Sequence, residues 1–447
     1  SRRNKRVTVS LAPADLKKQG PSYDLPIAIS ILQASGRINV QNPDEILFLG
    51  ELALNGDLRP VNGVLPIAIH AKGKGIKRIF TPALNAQEAK LVKDLEVYPV
   101  NNFKELYEHL EGLNPITPLP ESDFNFSNAE IEFDMAHING QEHVKRAMEI
   151  AAAGGHNMLM SGPPGSGKTL IARTMPSILP DLILEEALEI TKIYSVAGKL
   201  NSSTSLVSTR PFRSPHHTAS GAALVGGGAW PRPGEISLAH RGVLFLDEFA
   251  EFPRLVLENL RQPLEEGVIH VSRAAGSLSF PAKFILMAAM NPCPCGFSGD
   301  SEKNCICTPL QAINYKKKIS GPILDRIDLH IEVPRIKFEK LSGENRSENS
   351  KIIKERINAA RKIQKERFKG TNFITNSEMS SEAVKKFCKL DAQSMTIIRQ
   401  AVDQLHLSAR AYFRILKLAR TIADLNGKKE ILAEHLAEAL QYRPKLE

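Results

Sequence analysis

The chain has 447 residues, of which 42% are hydrophobic and 24% are charged, and its formal net charge is +9. This length is enough for two or three domains, and this composition fits a soluble globular protein. No apolar run reaches the length of a transmembrane helix and no apolar signal segment follows Ser1, so we expect a cytoplasmic protein without a membrane partner. Five cysteines are too few for a disulfide framework, and the positive charge permits nucleic-acid binding without showing it.

Three blocks of pattern follow one another along the chain. Residues 1–112 alternate short strands and helices, beginning with the strand-like RVTVSL, and residues 113–130 form a polar, proline-containing linker. Residues 131–334 alternate strands and helices as a parallel α/β sheet does, and residues 335–447 are helical. We therefore predict an α+β domain, an α/β core and a C-terminal helical lid. The abrupt start without an initiator Met predicts that the first domain is incomplete at its N-terminus.

The first block resembles the proteolytic domain of Lon proteases. In QGPSYDLPIAISIL, Ser22 occupies the position of the Lon nucleophile, and GELALNGDLRPVNGVLPIAIHAKGKGIKRIFTP continues the resemblance. Leu65, however, stands where Lon has the lysine that activates the serine, and Lys72 and Lys74 lie one helical turn or more away. A serine hydroxyl without an adjacent base stays protonated and inert. We expect a Lon-like fold without peptidase activity, in which Ser22 caps a helix.

The second block opens with a phosphate-binding loop. NMLMSGPPGSGKTLIART places an apolar strand before the motif and a helix after it. The glycines let backbone N–H groups face a β-phosphate, Lys168 reaches the β- and γ-phosphate oxygens, and Thr169 ligates Mg²⁺. We therefore predict ATP and Mg²⁺ as cofactors. The predicted nucleotide contacts are Gly162, Pro163, Pro164, Gly165, Ser166, Gly167, Lys168, Thr169 and Leu170.

Two further buried strands end in polar residues. GVLFLDEFAEF ends a strand at Asp247 and Glu248, where Asp247 would hold Mg²⁺ and Glu248 would polarise the attacking water. An acidic pair at a strand end can also be a helix cap, but its spacing from the phosphate loop favours catalysis. FILMAAMNP ends at Asn291, which would hydrogen-bond the γ-phosphate or the attacking water.

Two arginines are candidates for contacts to the terminal phosphate. Arg326, in SGPILDRIDLHIEVP, is poorly placed for its own nucleotide, and we predict that a neighbouring subunit receives it as an arginine finger. The alternative is an ordinary surface ion pair with Asp325 or Asp328. Arg410 begins the amphipathic helix in LHLSARAYFRILKLARTIADL and would reach the nucleotide from the lid.

The same helix has an apolar face and a basic face. We expect Arg414 and Lys417, on the basic face, to be solvated. The residues expected on the apolar face are Tyr412, Ile415, Leu416, Ala419 and Ala423.

These parts resemble the AAA+ ATPases, and within them the magnesium-chelatase-like branch with its ComM (YifB) family. The segments that carry the resemblance are RPFRSPHHTASGAALVGGGAWPRPGEISLAHRGVLFLDE, LENLRQPLEEGVIHVSRAAGSLSFPAKF, AAMNPCPCGF, SGPILDRIDL and HLAEALQYRP. The resemblance implies a homo-hexameric ring with ATP at the subunit junctions. It also implies a DNA helicase that drives branch migration on single-stranded or branched DNA during natural transformation, with recombination proteins as further partners.

Two inserts in the second block are candidates for DNA contacts. VIHVSRAAGSLSF predicts a β-hairpin in which Val271 opposes Leu278 and Ile269 opposes Phe280, with Arg273 near its tip. In a ring of this family such a hairpin projects toward the pore, where Arg273 would meet phosphates.

A glycine-rich insert, residues 220–235, lacks any helical or strand period, so we expect it to be mobile. It carries Arg232 and the single Trp230, which would contact or stack on DNA. The alternative for both inserts is a contact between subunits.

Four cysteines lie close together in CPCGFSGDSEKNCIC. Cys293, Cys295, Cys305 and Cys307 would suit a closed tetrahedral Zn²⁺ site, the alternative being free surface thiols. Cys388 lies far away in a helical stretch and is expected in the core. The pair His216–His217 is expected to hydrogen-bond within its loop rather than bind metal.

The sequence is also compatible with other functions. The principal alternative is a magnesium-chelatase-like motor that remodels a protein partner, which a DNA-stimulated ATPase assay would separate from a DNA motor. An ATP-dependent protease would need the missing lysine, and a non-catalytic DNA scaffold conflicts with Lys168 and Glu248.

Overall fold

A computed structural model describes residues 7–11, 20–121, 132–200, 206–228, 231–273, 276–300, 302–335 and 348–444. The chain forms an N-terminal domain, a parallel-sheet α/β core and a C-terminal group of helices, as the sequence predicts. Among the described residues, no helix is both long and apolar enough to cross a membrane.

The N-terminal domain is built on a parallel three-stranded sheet of order β1-β4-β5. The two faces of this sheet are covered by separate apolar clusters, because successive side chains of a strand point to opposite faces. Ile79 packs in the cluster that contains Leu65, and Phe80 packs in the one that contains Leu25. The elements of the domain are α1 (Asp24–Ala34), β1 (Ile46–Phe48), β2 (Glu51–Leu52), β3 (Leu58–Arg59), α2 (Val64–Gly73), β4 (Arg78–Pro82), α3 (Ala83–Ala89), β5 (Glu96–Val100) and α4 (Phe103–Leu110).

Two local predictions for this domain are wrong. Residues 7–11 form no strand, although their sequence alternates. Ser22 is not the cap of α1, since it lies in a 3₁₀ turn and Tyr23 takes the N-cap position.

Leu65 is fully buried in α2, and Lys72 Nζ pairs with Asp94 Oδ2 at 2.8 Å. The amine of Lys72 is therefore engaged in an ion pair of its own.

The core contains a five-stranded parallel sheet of order β14-β6-β13-β10-β7. Its elements are α5 (Glu142–Gly154), β6 (Met158–Ser161), α6 (Lys168–Ile178), α7 (Leu184–Ala197), β7 (Phe212–Arg213), α8 (Gly221–Val225), β8 (Gly226–Gly227), β9 (Arg232–Pro233), α9 (Glu235–Leu238), β10 (Val243–Leu246), α10 (Arg254–Glu258), α11 (Arg261–Glu266), β11 (Val268–Arg273), β12 (Gly276–Pro281), β13 (Ile285–Met290), α12 (Pro309–Lys316), α13 (Gly321–Leu324) and β14 (Leu329–Glu332).

The central strands of the core are apolar on both faces. Every residue of β10 and β13 is buried, which is the pattern of a parallel sheet covered by other elements on each side. Phe245 packs in the cluster shared with the C-terminal helices, whereas Leu244 and Leu246 pack in the cluster beneath the β11–β12 hairpin. Since all five strands are parallel, their carboxyl ends meet at one edge of the sheet, where the phosphate-binding loop follows β6.

The C-terminal helices form the lid and pack on α5 and α6 through the same apolar cluster. They are α14 (Ser350–Arg367), α15 (Ser381–Phe387), α16 (Ala392–Leu405), α17 (Ala409–Leu425) and α18 (Ala433–Gln441). The apolar face of α17 is buried as predicted, with Tyr412 packed at its margin.

The prediction that Arg414 and Lys417 are solvated is wrong. Arg414 Nη1 donates to the carbonyl of Ile327 at 2.7 Å, and Lys417 Nζ donates to the carbonyl of Ser377 at 2.9 Å. Burial lowers the pKa of Lys417. The helix period places both residues opposite the apolar face, but the docked core covers that side as well.

A buried carboxylate links the N-terminal domain to the core. Glu88, which is 6% exposed, accepts a hydrogen bond from the N–H of Leu65 at 2.7 Å and another from the hydroxyl of Ser195 in α7. The N–H of Gly63 donates to the carbonyl of Ser195 at 3.2 Å. These contacts attach α2 to α7.

Candidate active site

The phosphate-binding loop has the backbone geometry that a close phosphate contact needs. A Cβ at Gly162 would lie 2.1 Å from the carbonyl oxygen of Val333, so no other residue fits there. Gly167, which caps α6, has φ +86, a conformation that glycine adopts readily. The first N–H groups of α6 have no partner within the helix and point along its axis toward the loop. The loop is therefore an anion site with the positive end of a helix dipole beneath it.

Lys168 fills the centre of this loop. Its Nζ donates to the carbonyls of Gly162 at 2.7 Å and Pro163 at 2.9 Å, and lies 3.4 Å from Asn291 Oδ1. The side chain is 9% exposed, and burial lowers its pKa. Its fourth contact is the hydroxyl of Ser166 at 3.4 Å, so all of these partners are neutral oxygens. An ammonium group held by neutral oxygens is available to phosphate oxygens, so the residues present fit a nucleotide polyphosphate.

Thr169 and Asp247 meet at the same sheet edge. Thr169 Oγ1 donates to Asp247 Oδ2 at 2.7 Å, and Asp247 Oδ1 accepts the N–H of Glu248 at 2.9 Å. A hydroxyl and a carboxylate beside a phosphate loop are the oxygen ligands that Mg²⁺ prefers. The predicted metal pair is thus brought together by the adjacency of α6 and the end of β10.

Glu248 has an unusual backbone and a partner that sequence reasoning missed. Its φ is +51 and its side chain is 56% exposed, with Oε2 2.8 Å from Nδ1 of His217. The ring of His217 contacts that of His216 in a tilted arrangement, with centroids 4.1 Å apart and an interplanar angle of 34°. Only the strand order could have predicted this contact. Strand β7 neighbours β10 in the sheet, so the residues after β7 approach the end of β10. The carboxylate predicted to polarise water is held by an imidazole.

Arg326 and Arg410 lie at the opposite edge of the sheet from the phosphate loop. Both line a cleft of about 690 Å³ between core and lid, together with Asn157 and Ile285 at the amino ends of β6 and β13. A strand of four to six residues spans roughly 13–20 Å. The cleft at the amino ends of these strands is therefore about that far from the phosphate loop at their carboxyl ends. Eight cationic side chains and six carboxylates line the cleft, so its charge is net positive.

Neither the expected surface partner of Arg326 nor the expected position of Arg410 over the nucleotide is found. Arg326 pairs with Glu265 and not with Asp325 or Asp328. Arg410 also binds Glu265, at 3.1 Å, so the lid holds it beside Arg326 and not over the nucleotide site of its own chain. The two arginines are thus one cluster.

The two candidate DNA-contacting inserts pack against each other through β8 and β11. The β11–β12 register confirms the predicted pairs of Val271 with Leu278 and Ile269 with Phe280. The other face is polar, with Ser272 Oγ 2.8 Å from Ser277 Oγ.

The described residues of the glycine-rich insert form regular elements, although their sequence shows no helical or strand period. They form α8 and the antiparallel pair β8–β9, because Gly226 and Gly234 allow the two backbones to approach closely. Arg232 is exposed in β9, whereas Trp230 and the side chain of Arg273 lie outside the described residues.

The four clustered cysteines converge on one point. Their sulfur atoms all lie within 4.8 Å of one another, and Cys293 Sγ is 3.4 Å from Cys295 Sγ and 3.7 Å from Cys305 Sγ. Four thiolates around Zn²⁺ at about 2.3 Å would be about 3.8 Å apart, so the cluster fits that ion. A Cβ at Gly296, between two of them, would meet Pro164 of the phosphate loop at 2.6 Å. The cysteine loop therefore packs directly on the nucleotide site, while Cys388 is buried in the core as predicted.

Three family models match the chain. A model described as magnesium chelatase, subunit ChlI, covers residues 134–341, one for the ChlI C-terminal region covers residues 347–443, and one for subunit ChlI of Mg-chelatase covers residues 1–85.

Two similar proteins cover 98% of the chain, and a third covers a smaller part of it. Competence protein ComM of Haemophilus influenzae is 46% identical over 447 residues, which cover 98% of this chain and 86% of that protein. The uncharacterized protein YifB of Escherichia coli K12 is 44% identical over 441 residues, covering 98% and 85%. Lon protease 2 of Bacillus subtilis is 31% identical over 106 residues, 24% of this chain and 19% of that protein, which fits a Lon-like N-terminal region.

Proposed function

The chain belongs to the magnesium-chelatase-like AAA+ family that includes ComM and YifB, and from that premise we propose that it is an ATP-driven DNA motor. The observation that carries the proposal is the meeting of Lys168, Thr169, Asp247, Glu248 and Asn291 at one sheet edge. They come from three different strands: Lys168 and Thr169 begin the helix after β6, Asp247 and Glu248 follow β10, and Asn291 follows β13. This convergence supports binding and hydrolysis of a nucleoside triphosphate.

In the proposed reaction, different residues of the chain bind the phosphates, hold the metal ion and orient the attacking water. The N–H groups after Gly167 and the ammonium of Lys168 bind the phosphates, and Asn291 orients the terminal one. Thr169 and Asp247 would hold Mg²⁺, which would neutralise charge on the phosphate oxygens. Glu248 orients the attacking water once its carboxylate leaves His217.

The position of Arg326 and Arg410 supports a ring. Both lie at the sheet edge away from their own phosphate loop, on a cleft with net positive charge. We infer that they contact the nucleotide of a neighbouring protomer, and that identical protomers close into a homo-hexamer with ATP at each junction. Such arginines contribute roughly 10³–10⁵ in rate in other nucleotide hydrolases.

The paired hairpins support DNA as the substrate. The β11–β12 hairpin follows α11 directly and presents a polar face, with Arg273 at the end of its first strand, and Arg232 is exposed on the adjoining hairpin. We propose that these elements grip single-stranded or branched DNA in the pore and drive branch migration. The name of the Haemophilus influenzae relative, competence protein ComM, supports a role in competence. We propose further that the chain acts in recombination during natural transformation, in the cytoplasm and together with recombination proteins.

A second candidate is a motor that remodels a protein partner. The match to a magnesium chelatase subunit over residues 134–341 favours it. The two functions differ in what stimulates ATP hydrolysis, since a protein-remodelling motor gains nothing from DNA.

The test is an unwinding assay on a Holliday junction, with phosphate release measured in parallel. We expect ATP-dependent junction unwinding and DNA-stimulated hydrolysis, both lost in Lys168→Ala. Arg273→Ala should reduce the stimulation by DNA, and DNA affinity should fall steeply with salt. ATP hydrolysis that no nucleic acid alters, with junctions left intact, would refute the DNA motor and favour the protein-remodelling alternative.

A further inference from the structure

One carboxylate holds both arginines of the cleft. Arg410 Nη2 donates to Glu265 Oε1 at 3.1 Å, and Arg326 Nη2 donates to the other oxygen, Oε2. The side chain of Arg326 is 13% exposed and that of Arg410 is 58% exposed. Two guanidinium groups repel each other, so the shared carboxylate stabilises their position side by side.

This contact joins three separate parts of the chain. Arg326 follows α13 in the core, Arg410 lies in the first turn of α17 in the lid, and Glu265 is the next-to-last residue of α11. The arginines are 61 and 145 residues away from Glu265 in sequence. The hydrogen bond from Arg326, together with the charges of both arginines, lowers the pKa of Glu265, so the carboxylate is ionised.

Glu265 also lies at the base of the β11–β12 hairpin. Gly267 caps α11 with φ +67, and β11 begins at the next residue. The N–H of Gly267 donates to the carbonyl of Pro263 at 2.9 Å, and its carbonyl accepts the N–H of Ala282, just beyond β12, at 2.8 Å. A displacement of α11 is therefore transmitted to both strands of the hairpin.

We propose that Glu265 is a positioning residue that holds Arg326 and Arg410 as a pair toward the neighbouring protomer's nucleotide and couples that pair to the hairpin. The inference rests on the proposed function, because it takes both arginines to act on the neighbour. A terminal phosphate competes with the carboxylate for the same N–H donors. When that phosphate binds or leaves, the hydrogen bonds between the two arginines and Glu265 weaken or strengthen. The resulting displacement of α11 moves the DNA-contacting hairpin.

The test compares Glu265→Gln with Glu266→Gln as the matched control. Glu266 is the adjacent exposed glutamate of the same helix and accepts a hydrogen bond from Gln262 rather than from an arginine. For Glu265→Gln we expect about a tenfold fall in kcat for ATP hydrolysis with KM within about twofold, and loss of stimulation by DNA. Glu266→Gln should match the wild type, and Glu265→Asp should recover part of the loss.

Mixed rings separate positioning from misfolding. Lys168→Ala protomers hydrolyse nothing but carry an intact Glu265, so they offer a correctly held arginine pair to the active site of a Glu265→Gln neighbour. We expect the mixture to hydrolyse ATP faster than the sum of the two variants alone. A mixture that shows only the sum, a raised rate in Glu265→Gln, or a Glu265→Gln rate equal to that of Glu266→Gln would overturn the inference.

The wild type and Arg326→Ala show which proposal fails. A wild-type chain that does not respond to DNA would overturn the proposed function and this inference with it, as would an Arg326→Ala variant with the wild-type rate. If DNA stimulates the wild type and Arg326→Ala is slow, but Glu265→Gln keeps the rate of Glu266→Gln, only the positioning role of Glu265 is refuted.

Discussion

Replacing His217 with alanine should raise the basal rate of ATP hydrolysis. His217 Nδ1 lies 2.8 Å from Oε2 of Glu248, the carboxylate proposed to orient the attacking water. That carboxylate must leave the imidazole before it can accept a hydrogen bond from water. The contact therefore stabilises the resting arrangement relative to the catalytic one.

The size of the effect follows from the exposure of the pair. Hydrogen bonds to charged groups contribute about 1.5–3 kcal/mol when buried, and solvent screening reduces that value at exposed sites. Here the side chains of His217 and Glu248 are 29% and 56% exposed, so about 1 kcal/mol is a reasonable figure. Removing that amount from the barrier corresponds to about a fivefold faster basal rate, because about 1.4 kcal/mol equals a factor of ten.

Steady-state phosphate release without DNA measures this directly. His216→Ala is the control, since His216 pairs with Thr218 at 2.9 Å and not with Glu248. Glu248→Gln should be inactive with or without His217. A His217→Ala rate that is unchanged or lower would refute the view that the imidazole restrains Glu248.

Two further predictions concern zinc and the attachment of the N-terminal domain. The purified chain should contain about one Zn²⁺, which Cys293→Ser loses and Cys388→Ala keeps, as measured by metal analysis; a wild-type chain without metal would contradict the site. Glu88→Ala should lower the free energy of unfolding by about 2–4 kcal/mol, because it leaves the N–H of Leu65 and the hydroxyl of Ser195 buried without their acceptor. Thermal unfolding measures this loss of stability, and Ser195→Ala should lose less. An unchanged transition in Glu88→Ala would contradict the stabilising role of the Glu88 contacts between the N-terminal domain and the core.

The convergence of side chains at the candidate nucleotide site was largely predictable, because each part of that site is local in sequence. The phosphate loop, the acidic pair at Asp247 and the amide at Asn291 each follow an apolar strand. Parallel strands bring their carboxyl ends to one edge whatever their order. The register of the hairpin from Ile269 to Phe280 was predictable for the same reason, since a short turn leaves one pairing that keeps the apolar residues on one face.

The errors concern positions whose surroundings come from elsewhere in the chain. Lys417 follows a polar helical period, but the docked core covers it. The insert around Gly226 lacks a recognisable period, yet close backbone approach between glycines builds a hairpin there. Ser22 has the composition of a helix cap, but the helix begins at Asp24.

The amino-acid sequence by itself determined the domain order, the strand-end chemistry and the membership of a family. These properties depend on spacing between near neighbours, which a linear pattern records. Only the tertiary structure decided that His217 pairs with Glu248, that the lid holds Arg410 beside Arg326, and that Glu265 binds both. The reason is physical: those contacts join residues far apart in sequence, and their geometry depends on strand order and on how the lid docks, neither of which local pattern specifies.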